Sequence, residues 1–277
     1  MKINFLRKAA ALFSAAALCI MCSCTGSRGA DAGVIMREAK SNAEKMASCS
    51  AAYKLSLSFT ADGEKYAYSS GGDTSYTAEP FTLKNVLTYS DCGSRSQDES
   101  YTAADGEKLW YYFKSGGTWQ KTDASGLDKS PLEQIDALRI LKSAESYKFV
   151  RETSFESQDS YKIEVKFKSE ILRPVMEYIT EKTGMSKNSK TIVKALLDGA
   201  PDIYGYCYVN KNTGSIIHTE VDAAGAVNSV FKNIDGSDVD VTADKCAISG
   251  SINNIGTEKA ASLPSGAEKA AGVQACG

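Results

Sequence analysis

Tyr53-Lys54-Leu55-Ser56-Leu57-Ser58-Phe59-Thr60 alternates large apolar or aromatic residues with polar ones and runs directly into Ala61-Asp62-Gly63. A period of two places Tyr53, Leu55, Leu57 and Phe59 on one face of a strand and Lys54, Ser56, Ser58 and Thr60 on the other. Asp-Gly tolerates the positive φ of a tight reversal. The segment therefore predicts the first arm of an antiparallel hairpin with one buried and one wet face.

Working outward, further strands are predicted at residues 66–70, 81–90, 99–103 and 108–114, punctuated by Gly71-Gly72, Asp105-Gly106 and Gly116-Gly117. After Pro131 the period changes, with Leu132, Ile135, Leu138, Ile140 and Leu141 at helical spacing. Two strands return before residue 168, the second alternating Tyr161, Ile163, Val165 and Phe167 with Lys162, Glu164, Lys166 and Lys168. A helical block follows over residues 169–199, split near Gly184. A closing meander is predicted at 203–210, 215–222, 226–233 and 245–253, with turns at Asn212-Thr213-Gly214 and Ala223-Ala224-Gly225. Upstream, Val34, Ile35, Met36, Ala39, Ala43 and Met46 predict an amphipathic helix over residues 32–48.

The fold class is thus α+β, with about ten or eleven antiparallel strands and three or four helices. A sheet that wide twists and curls. Its apolar face needs a cover, and the helices are the available material. The expectation is a half-barrel, one curled sheet with helices on its concave face. Two separate domains are disfavoured because no long linker interrupts residues 33–256.

The N-terminus sets the location. Lys2, Arg7 and Lys8 precede an apolar run over residues 9–21 that ends at Ser23-Cys24. This is the layout of a bacterial lipoprotein signal. Cys22 follows Met21 and Cys19 follows Leu18, whereas Cys24 alone follows a small residue. The run is too short for a membrane-spanning helix. Residues 1–23 therefore read as a signal peptide, Cys24 as the lipidated first residue, 24–32 as a small polar tether and 33–277 as a single domain on the extracytoplasmic face of the cell membrane. Two acyl chains would hold it firmly, where one would be marginal.

Removing the three basic signal residues from the 32 in the chain leaves 29 against 34 acidic, a net charge of -5. That balance argues against nucleic acid as a partner. Beyond Cys24 the cysteines are Cys49, Cys92, Cys207, Cys246 and Cys276, an odd set without metal-ligand spacing. At most two disulfides and one free thiol can form among them, in a connectivity that spacing does not give.

Signatures of catalysis are weak. His218 is the one histidine, which removes two-histidine zinc sites, and its alternating strand suggests a solvated residue. Lys182-Thr183-Gly184 and Ser229-Val230-Phe231-Lys232 match two elements of penicillin-binding enzymes, but in reversed order, the first as a helix C-terminus and the second in an expected strand. Asp235, Asp238, Asp240 and Asp244 lack the spacing of a calcium loop. Trp110 and Trp119 either stack sugars or pack on neighbouring strands. No enzyme, cofactor or metal is expected.

The lipoprotein signal, the helix-then-alternating-strand opening and the segment Tyr101-Thr102-Ala103-Ala104-Asp105-Gly106-Glu107-Lys108-Leu109-Trp110-Tyr111-Tyr112, followed by Gly117-Thr118-Trp119-Gln120-Lys121, carry a resemblance. With the close at Leu263-Pro264-Ser265-Gly266, they resemble the LolA/LppX-like envelope lipoproteins and carriers, notably those of Gram-positive type. The resemblance covers nearly the whole chain through pattern, with only Asp-Gly-x-x-Leu-Trp-x-Tyr approaching a motif. It implies a half-barrel whose apolar interior opens to admit an acyl chain or similar ligand, or an envelope sensor domain. An anchored chain departs from the carriers that shuttle.

Physics alone adds that a curled sheet with more apolar area than its helices fill favours a hydrophobic ligand over water. The lining expected for such a cavity is Leu55, Leu57, Phe59, Leu87, Leu109, Tyr111, Phe113, Ile163, Val165 and Phe167. The competing expectation is that these residues pack on the helices as a filled core. The function expected is non-catalytic binding of a lipid or other hydrophobic ligand. The alternative is a sensor or interaction module that presents the same fold to an envelope protein partner.

Overall fold

The computed structural model describes residues 31–185, 189–232 and 240–273, and the fold lies within the unit Ala32–Gly277. The expected signal, Cys24, most of the tether, Cys276, Asp235 and Asp238 lie outside the described residues.

The quoted stretch sits in β1 (Ser48–Ala61), which pairs antiparallel on one side with β2 (Glu64–Thr77) and on the other with β11 (Val241–Asn253). From β2 the chain continues as a meander through β3 (Thr82–Asp91), β4 (Ser94–Asp105), β5 (Lys108–Ser115) and β6 (Thr118–Asp123). The far side of β11 carries a second meander, β10 (Ile216–Asp222), β9 (Ile203–Asn210), β8 (Gln158–Phe167) and β7 (Ala144–Phe155). A two-residue β12 (Ala271–Gly272) pairs parallel with β6, giving one open sheet of order β12-β6-β5-β4-β3-β2-β1-β11-β10-β9-β8-β7. The α+β half-barrel is therefore the fold. Among the described residues its strands number twelve, because β6 and β12 add to the expected set while one expected strand is a helix.

That exception is residues 226–233. Ala224–Lys232 forms a helix with Val227, Val230 and Phe231 buried at positions i, i+3 and i+4. Short apolar runs fit either period, and here burial on β11 selects the helix, which Asn228 fixes by exchanging two hydrogen bonds with the Ala243 backbone. A second correction concerns Gly71-Gly72, which lie inside β2 rather than at a turn. A Cβ on Gly71 would stand 3.2 Å from the Tyr53 carbonyl, and one on Gly72 would stand 2.9 Å from Leu87 Cδ2. These glycines let two long strands close on their neighbours.

Before β1 stands α1 (Ala32–Glu44). Between β6 and β7 come α2 (Pro131–Gln134), α3 (Asp136–Arg139) and a 3-10 turn, Ile140–Ser143. Between β8 and β9 the 3-10 turn Ser169–Leu172 leads into α4 (Arg173–Lys182), then α5 (Ser189–Asp198). Ala224–Lys232 is α6. Cross-strand register carries one face through the sheet: Leu55 opposes Ile248 and Ser70, Gly72 opposes Leu87, and Val165 opposes Gly205. The helices lie on this inner face. Met36, Ala39 and Ala43 of α1, Leu138 of α3, Val175, Met176 and Ile179 of α4 and Leu196 and Leu197 of α5 join Leu55, Leu57, Phe59, Ile163, Val165 and Phe167 in one core. Each such side chain contributes about 1.5–3 kcal/mol by burial.

The outer face of β4–β6 has a separate cover. Tyr101, Ala103, Tyr112 and Trp119 pack with Trp110 under Ala261, Leu263, Ala267 and Ala270 of the C-terminal segment. Packing on neighbours thus accounts for both tryptophans. Through β12 the same segment pairs with the edge strand β6, which would otherwise present unpaired backbone.

Helix α3 meets the sheet at backbone distance. A Cβ on Gly250 would lie 2.8 Å from Ala137 Cα and 2.9 Å from the Ala137 carbonyl oxygen. Neither atom can swing aside. Gly250→Ala is expected to lift α3 and destabilise the fold by about 1–3 kcal/mol, read as a lower urea midpoint at unchanged slope. An unchanged midpoint would show that α3 has slack.

Candidate functional site

All ten expected lining residues fall on the inner face by register, and they divide into two groups. Leu55, Leu57, Phe59, Leu109, Ile163, Val165 and Phe167 are buried, none more than 3% exposed. For these seven the sheet-helix core is the role the packing shows. Leu87 and Phe113 are half-buried, and Tyr111 is 38% exposed.

The division follows the helices. α1 packs over β7, β9 and β10, α3 over β1 and β11, and α6 over β11. The Tyr178 ring of α4 stacks on Tyr68 of β2 at 4.5 Å and meets Phe59 edge-on at 6.2 Å. On β3–β5, Leu83 and Leu109 are buried and α4 reaches Asp91, so the open part of the inner face lies around Leu87, Tyr111 and Phe113. There Leu87, Tyr111 and Phe113 line a recess of about 410 Å³ with Gln97, Asp98, Glu99, Ser100 and Lys114. The Tyr111 and Phe113 rings stack at 5.6 Å, 20° apart, which keeps two aromatic surfaces together on the wall.

A second recess of about 360 Å³ opens where the helices begin, lined by Tyr53, Leu55, Ser70, Asp136, Arg139, Ile140, Ser143, Glu170, Ile171 and Pro174. Register joins the two: Tyr53 opposes Gly72, Gly72 opposes Leu87, and Leu87 opposes Asp98. The Leu87 side chain leans over Gly72, between the two recesses. Sequence reasoning missed Tyr53, Ser70 and Tyr89 as wall residues. The alternation signal was present for Tyr53, and register identifies Ser70 and Tyr89 as partners once β2 is known to run through Gly71-Gly72.

The charges of the second recess are matched. Arg139 lies 2.5 Å from Asp136, and Arg173 donates to Glu170 at 2.8 and 2.9 Å. Burial pushes the Tyr53 hydroxyl up to about 12, with the negative charge of Asp136 adding to it. Burial, then Asp98, raises Tyr89. Both phenols stay protonated and can donate hydrogen bonds at neutral pH.

Chemistry of other kinds finds little support. Among the described residues no group of three His, Cys, Asp or Glu side chains is placed to hold a metal ion. Cys49, Cys207 and Cys246 are buried and in no disulfide, and burial pushes each thiol up to about 12, so they pack as small, largely apolar groups. Cys92 is exposed and unbonded at the β3–β4 turn. His218 is not the solvated residue expected: its side chain is 14% exposed, its ring stacks on Phe155 at 4.6 Å, and its Nδ1 shares a 2.8 Å hydrogen bond with Ser251 Oγ. Burial lowers its pKa, which leaves it neutral at pH 7. Ser229 lies within α6 and not in the expected strand, and Lys182 ends α4 in an ion pair with Asp91.

α4 is fastened beside the open region. Tyr178 donates from its hydroxyl to Asp91 Oδ1 at 2.6 Å, and Lys182 Nζ lies 2.7 Å from Asp91 Oδ2. These two donors hold the Asp91 carboxyl below its ordinary value of 3.8. A carboxyl with a lowered folded pKa stabilises the fold above its unfolded value, and the contribution disappears as pH falls through the folded value. The melting temperature of the parent protein should therefore exceed that of Asp91→Asn at neutral pH, with the gap closing as pH drops below 3.8. A gap that persists in acid would place the effect in packing rather than in the carboxylate.

Residues 31–247 match the family described as "Family of unknown function (DUF6612)". No curated protein matches. Among solved structures the chain is similar to LprF from Mycobacterium bovis, at 10% identity and TM-score 0.43 over 87% of this chain and 99% of that one. It is also similar to lipoprotein LppX from Mycobacterium tuberculosis, at 10% identity and TM-score 0.38 over 83% and 97%. A putative outer membrane lipoprotein-sorting protein domain from Vibrio parahaemolyticus matches at 10% identity and TM-score 0.23 over 80% and 89%. The fold itself stands on the strand order above.

Proposed function

The chain belongs to the DUF6612 family, and from its own geometry we propose that it is an extracytoplasmic lipoprotein, anchored through Cys24, that binds a hydrophobic ligand without catalysing a reaction. The observation that carries this reading is the unfinished cover of the inner face. Leu87, Tyr111 and Phe113 stand on the side of the sheet that elsewhere forms a closed core, and they line a recess of about 410 Å³. Apolar side chains held open to water on an inward wall favour an occupant that removes them from water, by about 25 cal/mol per Å² covered. A volume in the range of about 300–1,000 Å³ is the scale of small-ligand sites.

The absence of catalysis is part of the proposal. It is supported by protonated cysteines, a neutral packed histidine and polar groups of the second recess that are already paired. The anchor rests on the sequence. No described helix is long and apolar enough to cross a membrane.

Two outcomes are expected. Tyr111→Ala with Phe113→Ala should weaken uptake of a fluorescent fatty-acid probe about tenfold or more, since each ring contributes about 1 kcal/mol or more of contact, while the urea midpoint moves little. Leu57→Ala should instead cost about 2–5 kcal/mol of stability. Equal probe binding by the double variant and the parent would reject the recess as the site. Cys24→Ser should move the expressed protein from the detergent phase to the aqueous phase in a detergent-partition experiment. Retention in the detergent phase would reject lipidation at Cys24.

A further inference from the structure

We infer that the recess on β3–β5 takes an organic ammonium group, carried as the head of an amphiphile. This inference rests on the hydrophobic-ligand reading and specifies the chemistry of that ligand's polar end.

The recess is bordered by three charged residues, of which one aims its side chain inward. In β4 and β5 the inner face is carried by Asp98, Ser100, Tyr111 and Phe113, since Leu87 opposes Asp98 and Ser100 opposes Phe113. Glu99 and Lys114 alternate with these and turn outward. Glu99 there accepts from the Tyr101 hydroxyl at 2.8 Å and pairs with Lys84 at 3.2 Å. Lys114 Nζ lies over the outer Trp119 ring, 4.9 Å from its centroid. Both outward charges are engaged on the opposite side of the sheet.

Asp98 is the exception. Among the described residues it makes no ion pair, while the neighbouring inner-face carboxylate, Asp91, is held by Lys182 and Tyr178. The second recess brings no spare charge, because Asp136 pairs with Arg139 and Glu170 with Arg173. Among the described residues the β3–β5 recess therefore carries one uncompensated negative charge.

The surroundings of Asp98 select the kind of cation. Leu87 lies directly across the strand, the stacked Tyr111 and Phe113 rings stand on the next strand, and Tyr89 is close enough for Asp98 to raise its pKa. A metal ion needs several oxygen ligands, which one carboxylate and one serine do not supply. An alkylated ammonium is weakly hydrated, is attracted to aromatic faces and needs only one counter-charge. A phosphate or sulfate head would be placed against Asp98 with no facing cation. The hydrocarbon tail would lie against Leu87, Tyr111 and Phe113 within the same recess.

The test is calorimetric titration of the full chain bearing Cys24→Ser, so that no acyl anchor competes. The probes are octyltrimethylammonium, octyl glucoside and octyl sulfate, each kept below its micelle-forming concentration, and tetramethylammonium alone. Octyltrimethylammonium is expected to bind about fivefold or more tighter than the glucoside, with the sulfate weakest. Asp98→Asn, exposed and isosteric, should bring the ammonium probe down to the level of the glucoside without changing the melting temperature. Tetramethylammonium binding as tightly as the octyl compound would keep the ammonium site and assign it to a free small cation. Sulfate or glucoside equal to ammonium, or an unaffected Asp98→Asn, would overturn the inference and leave the hydrophobic-ligand reading standing. Failure of all three octyl probes would overturn both.

Discussion

Pairing of β1 on both edges is the constraint from which the rest of the molecule follows. Fourteen residues of β1 are matched to β2 on one side, and most of the same residues to β11 on the other. A slip of one residue on either side would turn Leu55, Leu57 and Phe59 to the outer face and bring Lys54 and Ser56 inward. Because β11 comes from the far end of the chain, this single strand locks two meanders into one sheet and gives them a common inner face. A bulge between Ser58 and Phe59 absorbs one extra residue at β11 without inverting the pattern, and Ala243 still meets Phe59.

Once that face is common, the supply of helix decides where it closes. The helical material enters between β6 and β7, between β8 and β9 and between β10 and β11, together with α1 ahead of β1. The connections between β1 and β6 are short, and none contains a helix. Cover is therefore concentrated over β7–β11, β1 and β2, and on β3–β5 the inner-face residues Leu87, Tyr111 and Phe113 line an open recess between buried Leu83 and Leu109 on one side and α4 at Asp91 on the other. The outer side shows the converse: the C-terminal segment covers Tyr101, Tyr112 and Trp119 there and occupies the free edge of β6. The two faces of β4 and β5 are thus finished differently.

This arrangement explains what could be read from the sequence. Alternation gave the strands and the face that all ten lining candidates share, because a period of two is a local property. Which of those ten would be closed over was not local, since Leu109 and Tyr111 sit two residues apart on one strand and one is buried while the other is open. The errors have the same origin. Residues 226–233 carry a pattern short enough for either period, and contact with β11 made them a helix. Gly71-Gly72 has turn composition, but the neighbouring carbonyl of Tyr53 and side chain of Leu87 gave the glycines a place within a strand. His218 alternates as a wet residue would, yet Phe155 arrives from β7, more than sixty positions earlier in the chain, to cover it.

Polarity within the open wall follows from the same geometry. Where helices close the face, its strand residues are mostly apolar and the buried hydroxyl of Thr219 donates to Cys207 Sγ, because an unpaired polar group there would lose its water without replacement. Over β3 and β4 the inward positions include Asn85, Tyr89, Asp98 and Ser100, which a permanently dry core would not tolerate so cheaply. Their presence beside Leu87, Tyr111 and Phe113 gives this part of the wall both polar and apolar groups. A wall meant only for hydrocarbon would gain nothing from a lone carboxylate, and a wall meant only for water would gain nothing from stacked rings. The combination of the two on adjacent strands is the reason to look for a ligand with both an apolar body and a charged end.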